Sequence, residues 1–430
     1  MRCKPAFLSR VLIVTSDGCS KIMVSNSQEQ PVAAPADLGR GSIRVAVICD
    51  YLEEKWPSMD LTAAMLYRYL VKNHAQEIAA TELRPPFRRR LTFLPMFRQG
   101  AGRNIDRLAN RFLDYPRWLR AQVSGFDLFH LADHSYSQLV LELPPGRAIV
   151  TCHDLDTFRC ILEPEQEKRP AWFQAMARRI LQGFQQAAHV ICNSTATRDH
   201  LLHYGLIPPE KLTVIHVGVH PAFTSPADPL AETEAIRLIG PNSGQEIRLL
   251  SVGSTIPRKR MDILLRVFRA VRDEFPTARL IRIGGPFTEA QHELARELGV
   301  EAFISLLPFV SSEVLAAIYR QSALLLLPSE AEGFGMPLTE ALACGCPVLA
   351  SDLPVLREVG GAVCEYCGVG DVDAWAQAAV RMIQENASGP RDFEHWSERA
   401  RAHASRYSWA ENARQTVLLY EKVLQKAARG

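Results

Sequence analysis

Ser329-Glu330-Ala331-Glu332-Gly333-Phe334-Gly335-Met336-Pro337-Leu338-Thr339-Glu340-Ala341-Leu342-Ala343-Cys344-Gly345 is the stretch on which the reading of this chain turns. The run before it, Leu324 to Leu327, is short, apolar and bounded, the pattern of a buried strand. The stretch opens as a glycine-bearing loop and closes as a helix, with Pro337 expected at the first helical position, where its missing N–H costs nothing. Gly333 and Gly335 carry no Cβ, so their amides can approach a ligand closely. A helix N-terminus at this corner adds partial positive charge suited to a phosphate or a polar sugar. Glu332 in the loop and Glu340 in the first turns of the helix each accept several hydrogen bonds, the chemistry of hydroxyl recognition.

The chain has 430 residues, enough for two sizeable domains. A hydrophobic content of 47% and a charged content of 22% are those of a globular protein, and a net charge of +2 calls for no acidic or nucleic-acid partner. The 10 cysteines form no regular framework, and Cys49 and Cys192 lie in strand-like runs. That fits reduced thiols and a cytoplasmic setting. Cys344-x-Cys346 and Cys364-x-x-Cys367 lack the further ligand spacing of a zinc site, so no metal and no cofactor are expected. No apolar run reaches membrane-spanning length, so a soluble protein is expected, or one peripheral at the inner face of a membrane.

Residues 1–42 read as an N-terminal extension. Phe7 to Thr15 is too short, and too interrupted by Arg10, for a signal peptide. Ser25 to Gly41 is polar and contains Pro and Gly, which predicts disorder. Ile43 to Cys49 is the first buried strand, followed by the glycine-free loop Asp50 to Ser58. Arg84 to Arg120 is a basic block with interleaved Phe87, Phe93, Phe97, Phe112, Tyr115 and Trp118. Within it only Asp106 and Asp114 oppose the arginines. Such a block suits an anionic membrane surface or, equally, a solvated face with buried aromatics. Phe126 to Leu131 and Ala148 to Cys152 are further strands. Ligands gather beyond the carboxyl ends of parallel strands, so Asp133, His134, His153 and Asp154 are expected on one rim. Asp154-Leu155-Asp156 also spells Asp-x-Asp, a weak metal pattern when it stands alone.

Thr224 to Glu246, with three prolines and little apolar pattern, reads as a linker. The second half opens with the strand Ile247 to Gly253 and the turn Ser254-Thr255-Ile256-Pro257-Arg258-Lys259-Arg260. Arg and Lys just beyond a strand can clamp a diphosphate, Arg with a planar fork and Lys as a point charge. Leu280 to Gly285 is another strand and glycine turn without the third glycine of a nicotinamide fingerprint.

Glu332-Gly333-Phe334-Gly335, the seven-residue spacing to Glu340 and the following Ala-x-Ala-x-Gly resemble the donor-site signature of retaining, GT-B fold glycosyltransferases of the family-four type (glycosyl transferases group 1). The resemblance runs from about Ile43 to the end and is strongest from Val252 to Ser351. It implies transfer of a sugar from a UDP- or GDP-linked donor to an acceptor hydroxyl with retention and without a metal. It also implies a diphosphate contact from Lys259 and Arg258. The donor set on this reading is Gly253, Ser254, Arg258, Lys259, Glu332, Gly333, Phe334, Gly335, Met336, Pro337, Leu338 and Glu340, with the Gly333–Leu338 amides and Glu332 on the sugar and Glu340 on the ribose. Pro308 to Ser311 stands where the family contacts the base. Asp133, His134, His153 and Asp154 form the acceptor side, and His134 and His153 join Glu332, Lys259 and Arg258 as catalytic candidates. The family often has an arginine directly after the glycine; here Ser254 stands there. The family's glycine pair in the first loop is absent as well.

The expected architecture is α/β: two doubly wound parallel-sheet domains facing across a cleft. Residues 43–223 form the acceptor-side domain, 224–246 the linker, 247–405 the nucleotide-sugar domain and 406–430 a helix crossing back to the first domain. The expected partners are a nucleotide sugar and a glycan or lipid-linked acceptor in envelope or exopolysaccharide synthesis, with membrane contact through Arg84–Arg120 and no nucleic acid. A GT-B epimerase or phosphorylase, or a non-catalytic nucleotide-sugar-binding protein, shares these features. A basic membrane adaptor needs only the arginine block.

Overall fold

The computed structural model describes residues 42–93, 101–241, 244 and 246–429. The extension 1–42, apart from Ser42, falls outside these residues, as do Phe97 and Arg98 of the basic block.

Two six-stranded sheets organise the chain. The first holds β1 (Ile43–Ile48), β2 (Ile78–Leu83), β3 (Leu128–Leu131), β4 (Ala148–Cys152), β5 (His189–Cys192) and β6 (Leu212–Val214), in the order β2-β1-β3-β4-β5-β6. The second holds β7 (Arg248–Gly253), β8 (Arg279–Gly284), β9 (Ile304–Leu307), β10 (Leu324–Leu327), β11 (Val348–Ser351) and β12 (Glu365–Cys367), in the order β12-β11-β10-β7-β8-β9. Every paired strand is parallel. The central strands are buried on both faces, which is why β10 reads as four consecutive leucines rather than as an alternation.

The order of the second sheet reverses direction between β7 and β10, and that of the first between β1 and β3. In open parallel sheets the crevice at such a reversal is where ligands bind. The loops that leave these four strands carry Arg258-Lys259, Glu332, Asp50 and Asp133. Topology alone therefore collects the charged residues discussed below.

Three local readings are corrected. The segment 224–246 contains a helix, Pro229–Ile239, capped by the Asp228 side chain and burying Ala231, Ala235 and Ile239. Its apolar stripe is made of alanines at four-residue spacing, a weak signal, and one of the three prolines sits harmlessly at its start. The helix of the opening stretch runs Met336–Ala343, so Pro337 is its second residue, and Gly335 precedes it in the left-handed region at φ 92°.

The basic block is also not opposed only from within. Arg107 pairs with the buried Glu54, Arg84 with Asp60 at 3.1 Å and Arg120 with Glu142 at 2.6 Å. Arg90 does pair with Asp114, at 2.7 Å. Arg111 donates to the Ser135 carbonyl and lies over the Tyr136 ring. Asp106 instead accepts backbone N–H groups of Arg90, Leu91 and Thr92. Glu54, Asp60 and Glu142 stand outside the block, beyond the reach of a charge count within it.

The helix Trp409–Ala427 packs on the first sheet, where Tyr420 meets His130 at 2.6 Å. Just before it, Val219 N–H donates to the Tyr407 carbonyl.

Candidate functional site

The donor-side corner is built from two loops of the second domain. Lys259 Nζ donates to Glu332 Oε1 at 2.5 Å, and Ser329 Oγ donates to the same oxygen at 2.7 Å. The Glu332 side chain is only 7% exposed. Burial pushes its pKa up, but the Lys259 charge and hydrogen bond outweigh burial and hold it below the usual glutamate value. The backbone stitches the same loops together: Glu330 N–H donates to the Arg258 carbonyl at 2.7 Å and Arg258 Nη1 to the Ala331 carbonyl at 3.1 Å.

Gly333 is where this corner touches the first domain. A Cβ there would lie 2.1 Å from the His153 carbonyl oxygen, closer than any side chain allows. Ser194 Oγ donates to the Gly333 carbonyl at 2.9 Å from the other domain. Gly335 needs its φ of 92°, and a Cβ would also meet Leu356 at 2.6 Å. Met336, first in the helix, has an N–H with no intrahelical acceptor.

Not every member of the expected donor set faces the cleft. Phe334 is buried against the Tyr407 and His216 rings. Leu338 is a core residue whose amide donates to the Gly335 carbonyl at 2.9 Å, so that amide is already used. Pro337 has no N–H to offer. Glu340, by contrast, is 9% exposed and spends only Oε2 on Tyr319 Oη, at 3.0 Å. Burial pushes its pKa up to about 7, the Tyr319 bond opposing only in part. Gly253 and Ser254 end β7 beside Lys259, whose Nζ is 3.9 Å from where a Gly253 Cβ would stand.

Across the cleft, Asp133, His134, His153 and Asp154 do share one rim. Asp133 accepts from Ser135 N–H at 2.8 Å and Ser135 Oγ at 2.6 Å, and its Oδ1 lies 3.2 Å from His134 Nδ1. His134 Nε2 faces Asp154 at 3.8 Å. Burial lowers the His134 pKa, but the bond and charge of Asp133 reverse the direction and raise it. His153 donates from Nε2 to the Ala132 carbonyl at 2.8 Å, and burial lowers its pKa. A neutral His153 in that tautomer keeps Nδ1 as an acceptor.

Arg258 spans the cleft. Its Nε lies 3.1 Å from Asp156 Oδ2 and its Nη2 3.5 Å from Asp154 Oδ2. The Asp-x-Asp carboxylates thus face a guanidinium. Among the described residues no cluster of three or more His, Cys, Asp or Glu suited to a metal ion occurs. Cys344 and Cys346 are buried core thiols.

Four residues of the cleft were not singled out from sequence. Asp50, at the end of β1, is buried, and burial together with the neighbouring Asp133 charge raises its pKa well above the ordinary value. Ser194 caps the Thr195–His203 helix and also reaches the Gly333 carbonyl. Glu358 accepts from Thr195 N–H at 2.8 Å across the domain boundary. Arg282 lies beneath the β7 loop. Only Asp50, standing directly after a strand at the reversal point, had a usable signal; the others depend on contacts between distant segments.

Residues 61–223 match the model of Glycosyltransferase Family 4 and residues 232–403 that of Glycosyl transferases group 1. Among curated relatives, a D-inositol 3-phosphate glycosyltransferase of Streptomyces bingchenggensis is 31% identical over 253 residues, covering 56% of this chain and 54% of that protein. One of Mycobacterium marinum is 29% identical, covering 56% and 51%. The chain thus spans about half the length of the curated relatives it matches. Among solved structures, Anabaena Alr3699/HepE in complex with UDP and glucose aligns with a TM-score of 0.64 at 16% identity, over 88% of this chain and 100% of that one. Sucrose-phosphate synthase from Thermosynechococcus elongatus aligns at 0.68 and 18% identity, over 89% and 100%. With two sheets reversing at facing clefts and both family models matched, the chain belongs to the GT-B glycosyltransferases of the group 1 and family 4 type.

Proposed function

We propose that this glycosyltransferase moves a sugar from a nucleoside diphosphate sugar to an acceptor hydroxyl with retention of anomeric configuration and without a metal. The observation that carries the reading is the Lys259–Glu332 pair, with Arg258 reaching over it to the opposite rim. In this reading the glycosidic C–O bond to the diphosphate breaks and the acceptor oxygen bonds the anomeric carbon on the same face. The leaving phosphate oxygen takes the acceptor proton. Lys259 and Arg258 stabilise the charge that develops on the diphosphate. Glu332 orients the sugar and Lys259 together, and Glu340 accepts from the ribose hydroxyls. His134 and His153 line the junction of sugar and acceptor.

Phe309, 55% exposed beyond β9, is the platform for the base. A UDP donor is supported by a fold neighbour named as a complex with UDP and glucose, and the names of the curated relatives, D-inositol 3-phosphate glycosyltransferases, support a polyol hydroxyl as acceptor. An acceptor of the cell envelope held at the cytoplasmic face of a membrane fits a chain that exposes Trp56, Phe93 and Ile105 together with Arg88 and Arg89.

The test is nucleoside diphosphate release from a panel of UDP- and GDP-sugars, with and without polyol and glycan acceptors, followed by NMR of the product anomer. Acceptor-dependent release with retention supports the reading. Release without acceptor, or phosphate-dependent release, favours an epimerase or phosphorylase. Tight binding of a nucleoside diphosphate with no turnover leaves a binding protein.

A further inference from the structure

The second domain holds a buried cation that the mechanism above does not use. Arg282 lies on β8, one strand over from the loop that carries Lys259, and is 1% exposed. Its Nη2 donates to the carbonyls of Gly253 at 2.6 Å and Ser254 at 2.8 Å. Its Nη1 donates to the Ile283 carbonyl and, at 3.4 Å, to that of Ser251. Its Nε has no partner among the described residues. None of its partners there is a carboxylate. Burial lowers its pKa only to about 10, so it remains charged at neutral pH.

Arg248, on the adjacent strand, shows how this fold neutralises a buried arginine. It is equally buried, on β7, and Glu246 pairs with it at 2.7 Å. Arg282 has dipoles where Arg248 has a charge. Carbonyl dipoles orient a guanidinium but leave its net charge uncompensated, and an uncompensated buried charge is costly. The backbone is shaped to admit it: a Cβ on Gly284 would lie 1.7 Å from the Gly253 oxygen and 3.1 Å from Arg282 Nη1.

The same contacts set the direction of the loop. The successive carbonyls of Gly253, Ser254 and Thr255 are taken by Arg282 and, at 3.1 Å, by Gln291. In a trans peptide the N–H points opposite to the C=O, so the amides that follow turn away from Arg282. A fixed positive charge behind a loop, with that loop's amides turned outward beside Lys259, has the form of an anion cradle.

We propose that Arg282 is a positioning residue for the donor diphosphate: it holds the Gly253–Thr255 loop and supplies, from behind it, a charge whose counter-ion is the diphosphate. This rests on the donor site proposed above and adds to it a cation that never touches the ligand.

The experiment compares wild type, Arg282→Gln, Arg282→Met and Arg282→Lys for binding of UDP, uridine, GDP and guanosine, with melting temperatures alongside. Arg282→Gln keeps amide donors for the two carbonyls but removes the charge. It should melt near the wild-type temperature, lose about tenfold in affinity for the diphosphate that wild type binds, and keep the nucleoside affinity, the scale of one unit charge acting through a partly screened interior. Arg282→Lys should stay within about twofold on both ligands, since the charge survives. If Arg282→Gln does not fold, Arg282→Met carries the same diphosphate-to-nucleoside ratio. An unchanged ratio in the neutral variants, through equal loss on both ligands or no loss on either, overturns the proposal. A wild type that binds neither UDP nor GDP overturns the donor site as well, and the wild-type arm alone separates that failure from a failure of Arg282.

Discussion

Lys259 Nζ and Glu332 Oε1 meet at 2.5 Å between the ends of β7 and β10, strands adjacent in the sheet although the residues lie 73 positions apart. Both side chains are largely buried, at 12% and 7% exposure. The pair acts as one unit, because either charge alone would be stranded. Lys259→Ala should lower stability by about 3–5 kcal/mol, the cost of a buried charge without its partner, and transfer by at least about a hundredfold. Glu332→Gln on top of Lys259→Ala should recover most of the melting temperature and none of the activity. A double variant as unstable as the single one would show that the two groups do not depend on each other.

Glu340 offers a sign-specific test. Its pKa rises from the ordinary 4.5 to about 7 on folding, because burial penalises the carboxylate. A raised pKa contributes stability that is fully present below the unfolded value and is lost as pH rises through the folded one. The wild type should therefore lose stability between about pH 4.5 and pH 7 through this group. Glu340→Gln should match wild type at pH 4 and exceed it at pH 8 by about 3 kcal/mol, or several degrees in Tm. The same variant should bind the nucleoside diphosphate less tightly at pH 8. Parallel melting curves at every pH would remove Glu340 from the account.

The difference between Glu340 and Phe334 shows what the sequence could carry. Leu324 to Leu327, the glycines and Glu332 were legible because strand periodicity, a missing Cβ and an acid in a loop are local properties. The alternation of strands and helices was legible for the same reason, and so was the rim of Asp133, His134, His153 and Asp154, since each follows directly on a strand or its short loop. Whether Phe334 faces a ligand or the Tyr407 ring depends on a residue 73 positions away, and no pattern within the motif encodes that. The partners of the arginine block were illegible for the same reason: Glu54 and Glu142, which pair with Arg107 and Arg120, lie outside it. Arg282 looked like one more strand residue, and only the absence of an acid beside it among the described residues, visible in three dimensions, marks it out.

Arg258 is held by carboxylates that a donor would have to replace. Asp156 Oδ2 is 3.1 Å from Nε, and burial and the Asp154 charge raise the Asp156 pKa while Arg258 lowers it. Asp156→Asn should free part of the guanidinium charge and tighten UDP binding about two- to fivefold, a surface-type pair being worth up to about 1 kcal/mol. Isothermal titration at low and high salt measures this. Weaker binding would mean that Asp156 positions Arg258 for the diphosphate instead of competing with it.

Glu358 ties the two domains together and should do so in a pH-dependent way. From the Pro354–Gly360 helix it accepts from Thr195 N–H at 2.8 Å and Ala196 N–H at 3.3 Å, at the N-terminus of the Thr195–His203 helix of the other domain. His216 Nε2 meets it at 2.8 Å. Burial pushes its pKa up, but the His216 bond and the two amides prevail and bring it down from 4.5 to about 2. A carboxylate there also suits the positive end of the helix. A depressed pKa contributes stability that is present above the unfolded value and lost as pH falls through the folded one. Wild type should exceed Glu358→Gln by about 1–2 kcal/mol at pH 7, after allowance for partial solvent screening, and the gap should close between about pH 4.5 and pH 2. Thermal melts of both proteins from pH 7 to pH 3 measure it. A gap that stays constant over that range would place the contribution of Glu358 in its shape and not in its charge.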